Sequence, residues 1–126
     1  MNRCEIQIAG SHSIRLTIDN DLPFTIYYLN MKYNILGSTG LKVSELCLGT
    51  MTFGENFFNI GVVSQASANE MIARALAAGI NFFDTADVYS YGESETVLGQ
   101  SLKDTGQRDK VIIATKVRGA MSEGRR

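Results

Sequence analysis

The sequence predicts an α/β fold with parallel strands, on three observations. From Leu46 onward, segments alternate as strand, helix, strand, helix, strand. The strand segments are apolar on both faces, as in parallel sheets that are covered by crossover helices. Reactive polar side chains follow each of these strands directly. The periodicity leaves open whether the sheet is open or closes into a barrel.

Residues 1–30 differ in character from the rest of the chain. Apolar and polar residues alternate over 14–18 and again over 24–28, with a turn signal between them, which predicts a short hairpin. A regular pattern begins only at Met31. We therefore interpret Met31 as the natural start, residues 1–30 as an upstream extension and 31–126 as the domain proper.

The strands of the domain are predicted from short apolar runs that end in turn signals. They are the hairpin Tyr33–Leu36 and Leu41–Ser44, followed by Leu46–Leu48, Ile80–Phe83 and Val111–Thr115. Residues 53–63 contain two glycines and three phenylalanines and predict a loop.

Two helices are predicted between the strands. Ser67 and Glu70 match a capping box at the start of the first helix, with Ser64 as a competing start, and Gly79 is a natural stop. One apolar face recurs at helical spacing: Ala68, Met71, Ile72, Ala75 and Leu76. The second helix covers about residues 94–103, with acidic residues at its start and a lysine at its end.

Composition excludes several classes of partner. Twelve Lys and Arg against thirteen Asp and Glu leave a net charge of −1, so neither nucleic acid nor an anionic membrane is expected to bind. No segment approaches the ~20 apolar residues that span a bilayer, and no signal peptide is evident. Cys4 and Cys47 match no metal-ligand spacing, so we expect buried, reduced thiols in a cytoplasmic protein.

The polar residues at the strand ends predict a site. Gly49, Thr50 and Met51 follow the first parallel strand, Asp84 follows the second with Tyr89 five residues later, and Lys116 follows the third. The carboxyl ends of parallel strands share one rim, where ligands bind. Simpler interpretations remain open: a turn-forming aspartate, a packing tyrosine and a solvated lysine.

A carboxylate, a phenol and an ammonium in one place have a specific chemistry. A phenol has a pKa near ~10 and is a weak acid, but a nearby ammonium favours the phenolate. A carboxylate keeps the ammonium charged and oriented. Such a phenol can protonate an oxyanion near neutral pH, which suits carbonyl reduction, where hydride reaches carbon and a proton must reach oxygen.

Three segments resemble the aldo-keto reductase superfamily, in its order and spacing: YNILGSTGLKVSELCLGTMTFG, GINFFDTADVYSYGESETVLG and VIIATKV. The match runs from about Met31 to Gly119. It implies an N-terminal hairpin and about three βα units of a (β/α)8 TIM barrel, an incomplete barrel because a whole one takes ~250 residues. The absence of a G-x-G-x-x-G motif agrees with a family that binds NADPH on a barrel.

The resemblance implies an NADPH-dependent oxidoreductase that reduces small aldehydes and ketones to alcohols. By motif, Asp84, Tyr89 and Lys116 are catalytic, with Tyr89 as the proton donor. Gly49, Thr50, Met51 and Asp84 are the implied cofactor contacts. The family's histidine follows a fourth strand that this chain lacks, and the only histidine, His12, is expected at a surface or loop of the extension.

Three parallel strands leave an unpaired edge, so we expect an inactive fragment that is marginally stable or aggregates. One alternative is half of a split enzyme that a C-terminal half-barrel chain completes. Another is a non-catalytic regulatory or interaction module, as in the potassium-channel β subunits. The missing phosphate loop disfavours an unrelated nucleotide-binding domain. Phe57 and Phe58 could contact substrate or simply pack.

Overall fold

The computed structural model describes residues 31–55 and 62–119 in full, and before them the backbone of three strands. These strands are β1 (Asn2–Ile8), β2 (His12–Ile18) and β3 (Thr25–Ile26), an antiparallel sheet in the order β1-β2-β3. The pairing of β2 with β3 agrees with the predicted hairpin. The prediction missed β1, although its residues also alternate in polarity. The predicted turn, Phe24 and Tyr28 lie outside the described residues.

After a hairpin of β4 (Tyr33–Ile35) and β5 (Lys42–Ser44), which is described below, the chain forms a parallel sheet of three strands. This sheet confirms the predicted alternation of strand and helix. The strands are β6 (Leu48–Gly49), β7 (Phe82–Asp84) and β8 (Ile112–Ala114), in that order across the sheet. Helix α1 (Gln65–Ala77) connects the first pair and α2 (Glu93–Asp104) the second. Short 3₁₀ helices cover Tyr89–Gly92 and Arg108–Lys110.

The register of this sheet separates two faces. Leu48, Phe83 and Ile113 are paired across the strands and point toward the helices. The fully buried Phe83 lies there in a core that also contains Phe53, Ala68, Ile72, Ala75, Leu98, Leu102 and Val111. Phe82 lies on the other face and is only partly buried. Strand alternation thus sends Phe83, and not Phe82, into the core.

The ends of α1 are set by local hydrogen bonds. Ser64 is the N-cap, and its hydroxyl accepts from the Ser67 N–H at 3.3 Å, so the predicted capping box at Ser67 lies one turn too late. Gly79, with φ of 87°, ends the helix as predicted, and the Ile80 N–H closes the last turn on the Ala75 carbonyl. Met71 is 40% exposed, at the margin of the predicted face. Within the described ranges no helix is long and apolar enough to cross a membrane.

The hairpin of β4 (Tyr33–Ile35) and β5 (Lys42–Ser44) lies at the amino end of β7. The Tyr33 hydroxyl donates to the Gly79 carbonyl at 2.7 Å. The Ser44 N–H donates to Oδ1 of Asn81, also at 2.7 Å. The hairpin therefore fixes the start of β7, while the opposite end of the sheet carries the polar rim.

Candidate active site

Asp84 and Lys116 meet at the carboxyl end of the parallel sheet. Asp84 ends β7, and its register partner in β8 is Ala114, two residues before Lys116. Nζ of Lys116 lies 2.7 Å from each carboxylate oxygen of Asp84 and 2.7 Å from the Thr85 carbonyl oxygen. An ammonium has three protons, and this arrangement offers three acceptors.

This surrounding raises the pKa of Lys116 above its ordinary value of 10.5. The hydrogen bond to Asp84 is the main cause of the raised pKa. Burial is the second-largest effect and lowers the pKa, and the Asp84 charge and the Tyr89 hydroxyl add smaller increases. Lys116 is therefore a cation throughout the neutral range. The pair is half exposed, with 51% of the lysine side chain and 40% of the aspartate side chain accessible, so solvent screens it.

Tyr89 completes the predicted trio. It begins the 3₁₀ helix after β7, and its N–H donates to the Ala86 carbonyl at 3.2 Å. Nζ of Lys116 lies 5.1 Å from the centroid of its ring, within cation–π distance. The structure thus brings together a carboxylate, an ammonium and a phenol from two strand ends and one loop.

The backbone after Tyr89 has an unusual conformation. Ser90 and Tyr91 have φ of 47° and 53°, and Gly92 continues with φ of 93°. A non-glycine residue in this region costs about 1–3 kcal/mol, and such residues cluster at functional sites. Ser90 is buried, and its hydroxyl donates to the Phe53 carbonyl at 3.0 Å. This anchor holds the turn that carries Tyr89.

The predicted cofactor loop divides into two environments. Gly49 is the register partner of Asp84, and a Cβ built on it would meet nothing within 4 Å. Met51 is 38% exposed beside it. Thr50 is fully buried, and its N–H donates to the Asp84 carbonyl at 2.9 Å. Gly49 and Met51 are open to a ligand, whereas the polar groups of Thr50 are bonded inside the protein.

A buried group of hydroxyls lies beneath the rim, and sequence reasoning missed it. We call Thr50, Thr85 and Ser94 the hydroxyl cluster; each is 1% exposed or less. Thr50 and Thr85 directly follow strands, and Ser94 lies in the first turn of α2. The cluster could have been found from the sequence by looking for hydroxyl residues where a buried strand ends and where the next helix begins.

The prediction that the Cys47 thiol is buried is wrong, because Cys47 is exposed. It precedes Leu48, which points to the core, so alternation turns Cys47 to the open face of the sheet. Its pKa is raised, mainly by partial burial and also by the Asp84 charge, while Lys116 opposes the shift.

The Cys4 side chain, Phe57 and Phe58 lie outside the described residues. In the part of the chain that is described, no group of three or more His, Cys, Asp or Glu could hold a metal ion.

Comparison with known proteins connects this geometry to one family. The profile of the aldo/keto reductase family matches residues 45–126. Among curated proteins, an uncharacterized oxidoreductase of Bacillus subtilis is 42% identical over 98 residues, which cover 74% of this chain and 28% of the relative. The versiconal hemiacetal acetate reductase of Aspergillus parasiticus is 40% identical over 87 residues, which cover 68% and 25%. The chain thus spans about a quarter of the length of these relatives.

Solved structures agree with the sequence matches. An aldo-keto reductase of Bacillus halodurans, determined in its holo form, superposes with a TM-score of 0.63 at 36% identity. The superposition covers 76% of this chain and 29% of that one. A structure described as a putative aldo-keto reductase of Pseudomonas aeruginosa gives a TM-score of 0.58 at 40% identity, over 68% and 32% of the two chains.

Proposed function

Because the chain belongs to the aldo/keto reductase family, we propose that it supplies the proton-transfer site of an NADPH-dependent oxidoreductase that reduces aldehydes and ketones to alcohols. The observation that carries the proposal is the Lys116 ammonium, 2.7 Å from both Asp84 oxygens and 5.1 Å from the Tyr89 ring. Family membership makes the chain part of an enzyme. The cofactor identity, the roles of the residues, the small carbonyl substrate and the cytoplasmic location are part of the proposal.

Each residue of the trio has one task in this proposal. The Tyr89 hydroxyl gives its proton to the carbonyl oxygen of the substrate as negative charge develops there. The Lys116 ammonium beside the ring stabilises the phenolate that remains. Asp84 keeps that ammonium charged and holds it beside the Tyr89 ring. The nicotinamide, when bound, supplies the hydride that reaches the carbonyl carbon.

The rim beside Asp84 fits a flat cofactor ring. Gly49 has no side chain, and the space where a Cβ would project is empty to 4 Å. A glycine at such a point lets a ligand approach the backbone closely. Gly49, Met51 and Asp84 would contact the cofactor, and Thr50 would hold their loop from beneath. The preference for NADPH over NADH follows the family resemblance.

We place the described parallel strands in the first part of a (β/α)8 barrel. Helices cover the face that carries Phe83, and the face that carries Phe82 and Asp84 would turn toward the barrel interior. The matched part of each curated relative is 25–28% of its length. Turnover would therefore require the remaining βα units, on the same or on a separate chain. Residues 1–30 would precede the domain as an extension.

The proposal is tested by completing the barrel. The chain is assayed for NADPH fluorescence quenching and for carbonyl-dependent NADPH oxidation, first alone and then fused to the C-terminal part of the Bacillus subtilis oxidoreductase beyond its matched region. We expect oxidation only in the completed protein. A completed protein that binds NADPH yet reduces none of a panel of aldehydes and ketones would contradict the proposed function. Turnover by the chain alone would contradict the need for completion.

A further inference from the structure

Ser94 belongs to the hydroxyl cluster beneath the rim and lies close to the residues that bind Lys116. We propose that Ser94 is a positioning residue, which holds in place the acceptors of the Lys116 ammonium and thereby the ammonium beside Tyr89. The catalytic meaning of this inference rests on the proposed function. Its structural content rests only on the contacts of the described residues.

Ser94 is fully buried, and its hydroxyl contacts both threonines of the cluster. It donates to the Thr50 carbonyl oxygen at 2.6 Å. Its oxygen lies 2.9 Å from Oγ1 of Thr50 and 3.1 Å from Oγ1 of Thr85. A serine hydroxyl has one proton and two lone pairs, so Ser94 can donate to the Thr50 carbonyl while it accepts from a threonine hydroxyl. One side chain of α2 thus joins the loops that follow β6 and β7.

Hydrogen bonds of Thr50 and Thr85 connect Ser94 to the residues that accept from Lys116. The Thr50 N–H donates to the Asp84 carbonyl at 2.9 Å, and the Thr50 hydroxyl lies 3.2 Å from the same oxygen. Thr85 presents its own carbonyl oxygen to Nζ of Lys116 at 2.7 Å. The Asp84 and Thr85 acceptors of the lysine therefore belong to residues that the hydroxyl cluster holds. Displacing the cluster would move the carboxylate and the carbonyl together.

A second buried serine on α2 provides the comparison. Ser101 is 1% exposed and lies seven residues after Ser94 on the same side of the helix. Its hydroxyl bonds with Asn69 and Gln65 of α1, away from the rim. Both serines satisfy a buried hydroxyl, so loss of either has a similar structural cost. Only Ser94 connects to the site.

The test measures the titration of the Lys116 ammonium by NMR in the completed, fused protein labelled with 13C-lysine, with Lys116→Arg used to assign the resonance. In Ser94→Ala we expect the pKa of Lys116 to move back toward 10.5. In Ser101→Ala we expect the pKa to remain that of the unmodified chain. Equal titration of Lys116 in the unmodified chain and in Ser94→Ala, or equal shifts in both serine variants, would overturn the inference.

A second variant keeps the test informative if Ser94→Ala does not fold. Thr85→Val is nearly isosteric and removes only the hydroxyl that joins Ser94 to the residue whose carbonyl accepts from Lys116. We expect the same direction of shift, and an unchanged Lys116 titration would count against the inference. In the completed enzyme, Ser94→Ala should lower kcat by about tenfold, less than the roughly 10²-fold that a misplacement of about 1 Å can cost, and leave the KM for NADPH nearly unchanged. A shifted titration in a completed protein without reductase activity would remove the proposed function and leave the positioning intact.

Discussion

Lys116 donates to three oxygens, all 2.7 Å from its nitrogen, and two of them belong to one carboxylate. This geometry holds the ammonium charged and fixes its direction. The raised pKa of Lys116 means that the folded protein binds this proton more tightly than the unfolded chain does. The resulting stabilisation is complete below pH 10.5 and is lost as the pH rises through the raised value. Because both side chains are half exposed, the effect on stability is small.

Replacing Asp84 with asparagine tests this arrangement directly. Asp84→Asn should lower the pKa of Lys116 toward 10.5, because both the hydrogen bonds to a carboxylate and its charge are lost. The measurement is the NMR titration of Lys116 in the completed, fused protein. Asp104→Asn, at the end of α2, is the control and should leave Lys116 unchanged. An unaltered Lys116 titration in Asp84→Asn would show that the pair does not form.

The sequence predicted that Asp84 and Lys116 would meet, because a residue at or just beyond the carboxyl end of a parallel strand is placed by that strand. Asp84 is the last residue of β7, and Lys116 lies two residues after the end of β8. Cys47 was predicted incorrectly, because β6 contains only Leu48–Gly49 and its alternation could not be read from so short a run. The hydroxyl cluster was missed because its members come from three segments. Their convergence depends on packing, which no local pattern records.

At the scale of elements, Gly79 and Gly99 differ in whether their position requires a glycine. Gly79 ends α1 with φ of 87°, and an added Cβ would lie 3.0 Å from the Met31 Cβ. Gly99 lies within α2, where an added Cβ would meet nothing within 4 Å. Gly79 therefore satisfies a conformational requirement that Gly99 does not have.

These two glycines give opposite predictions. Gly79→Ala should destabilise the chain by roughly 1 kcal/mol or more, because alanine is strained in the left-handed region and crowded there. Gly99→Ala should stabilise it by roughly 0.5–1 kcal/mol through helix propensity. Urea unfolding of the completed, fused protein, followed by far-UV circular dichroism, measures both. Shifts of the same sign would contradict the described helix ends.

The order of strands and helices was predictable, since each strand is an apolar run and each helix has one apolar face. The first turn of α1 was predicted from the wrong serine, because Ser64 and Ser67 are equally good caps by composition. The turn at Ser90 and Tyr91 was not predictable, because neither is glycine. Its left-handed conformation depends on the distant anchor between Ser90 and Phe53.

At the scale of the whole molecule, the described parallel sheet has helices on one face only. The other face carries Phe82, and apolar side chains are exposed elsewhere, with Ile35 at 55% and Val117 at 78%. We expect the chain alone to be marginally stable or to aggregate, with a broad thermal transition and strong binding of an apolar dye. Fusion to the C-terminal part of a relative should sharpen the transition and reduce dye binding. A sharp, cooperative transition of the isolated chain as a monomer would contradict this expectation.

The most direct test of the central claim compares two tyrosines of one loop in the completed, fused protein. Tyr89→Phe removes the proposed proton donor, whereas Tyr91→Phe changes a neighbour that is 60% exposed. The measurement is kcat for carbonyl-dependent NADPH oxidation, together with the affinity for NADPH. We predict a loss of kcat of about 10²-fold or more in Tyr89→Phe, the range that general acids contribute, with NADPH binding retained and Tyr91→Phe close to the unmodified protein. Intact turnover in Tyr89→Phe would contradict the assignment of the site.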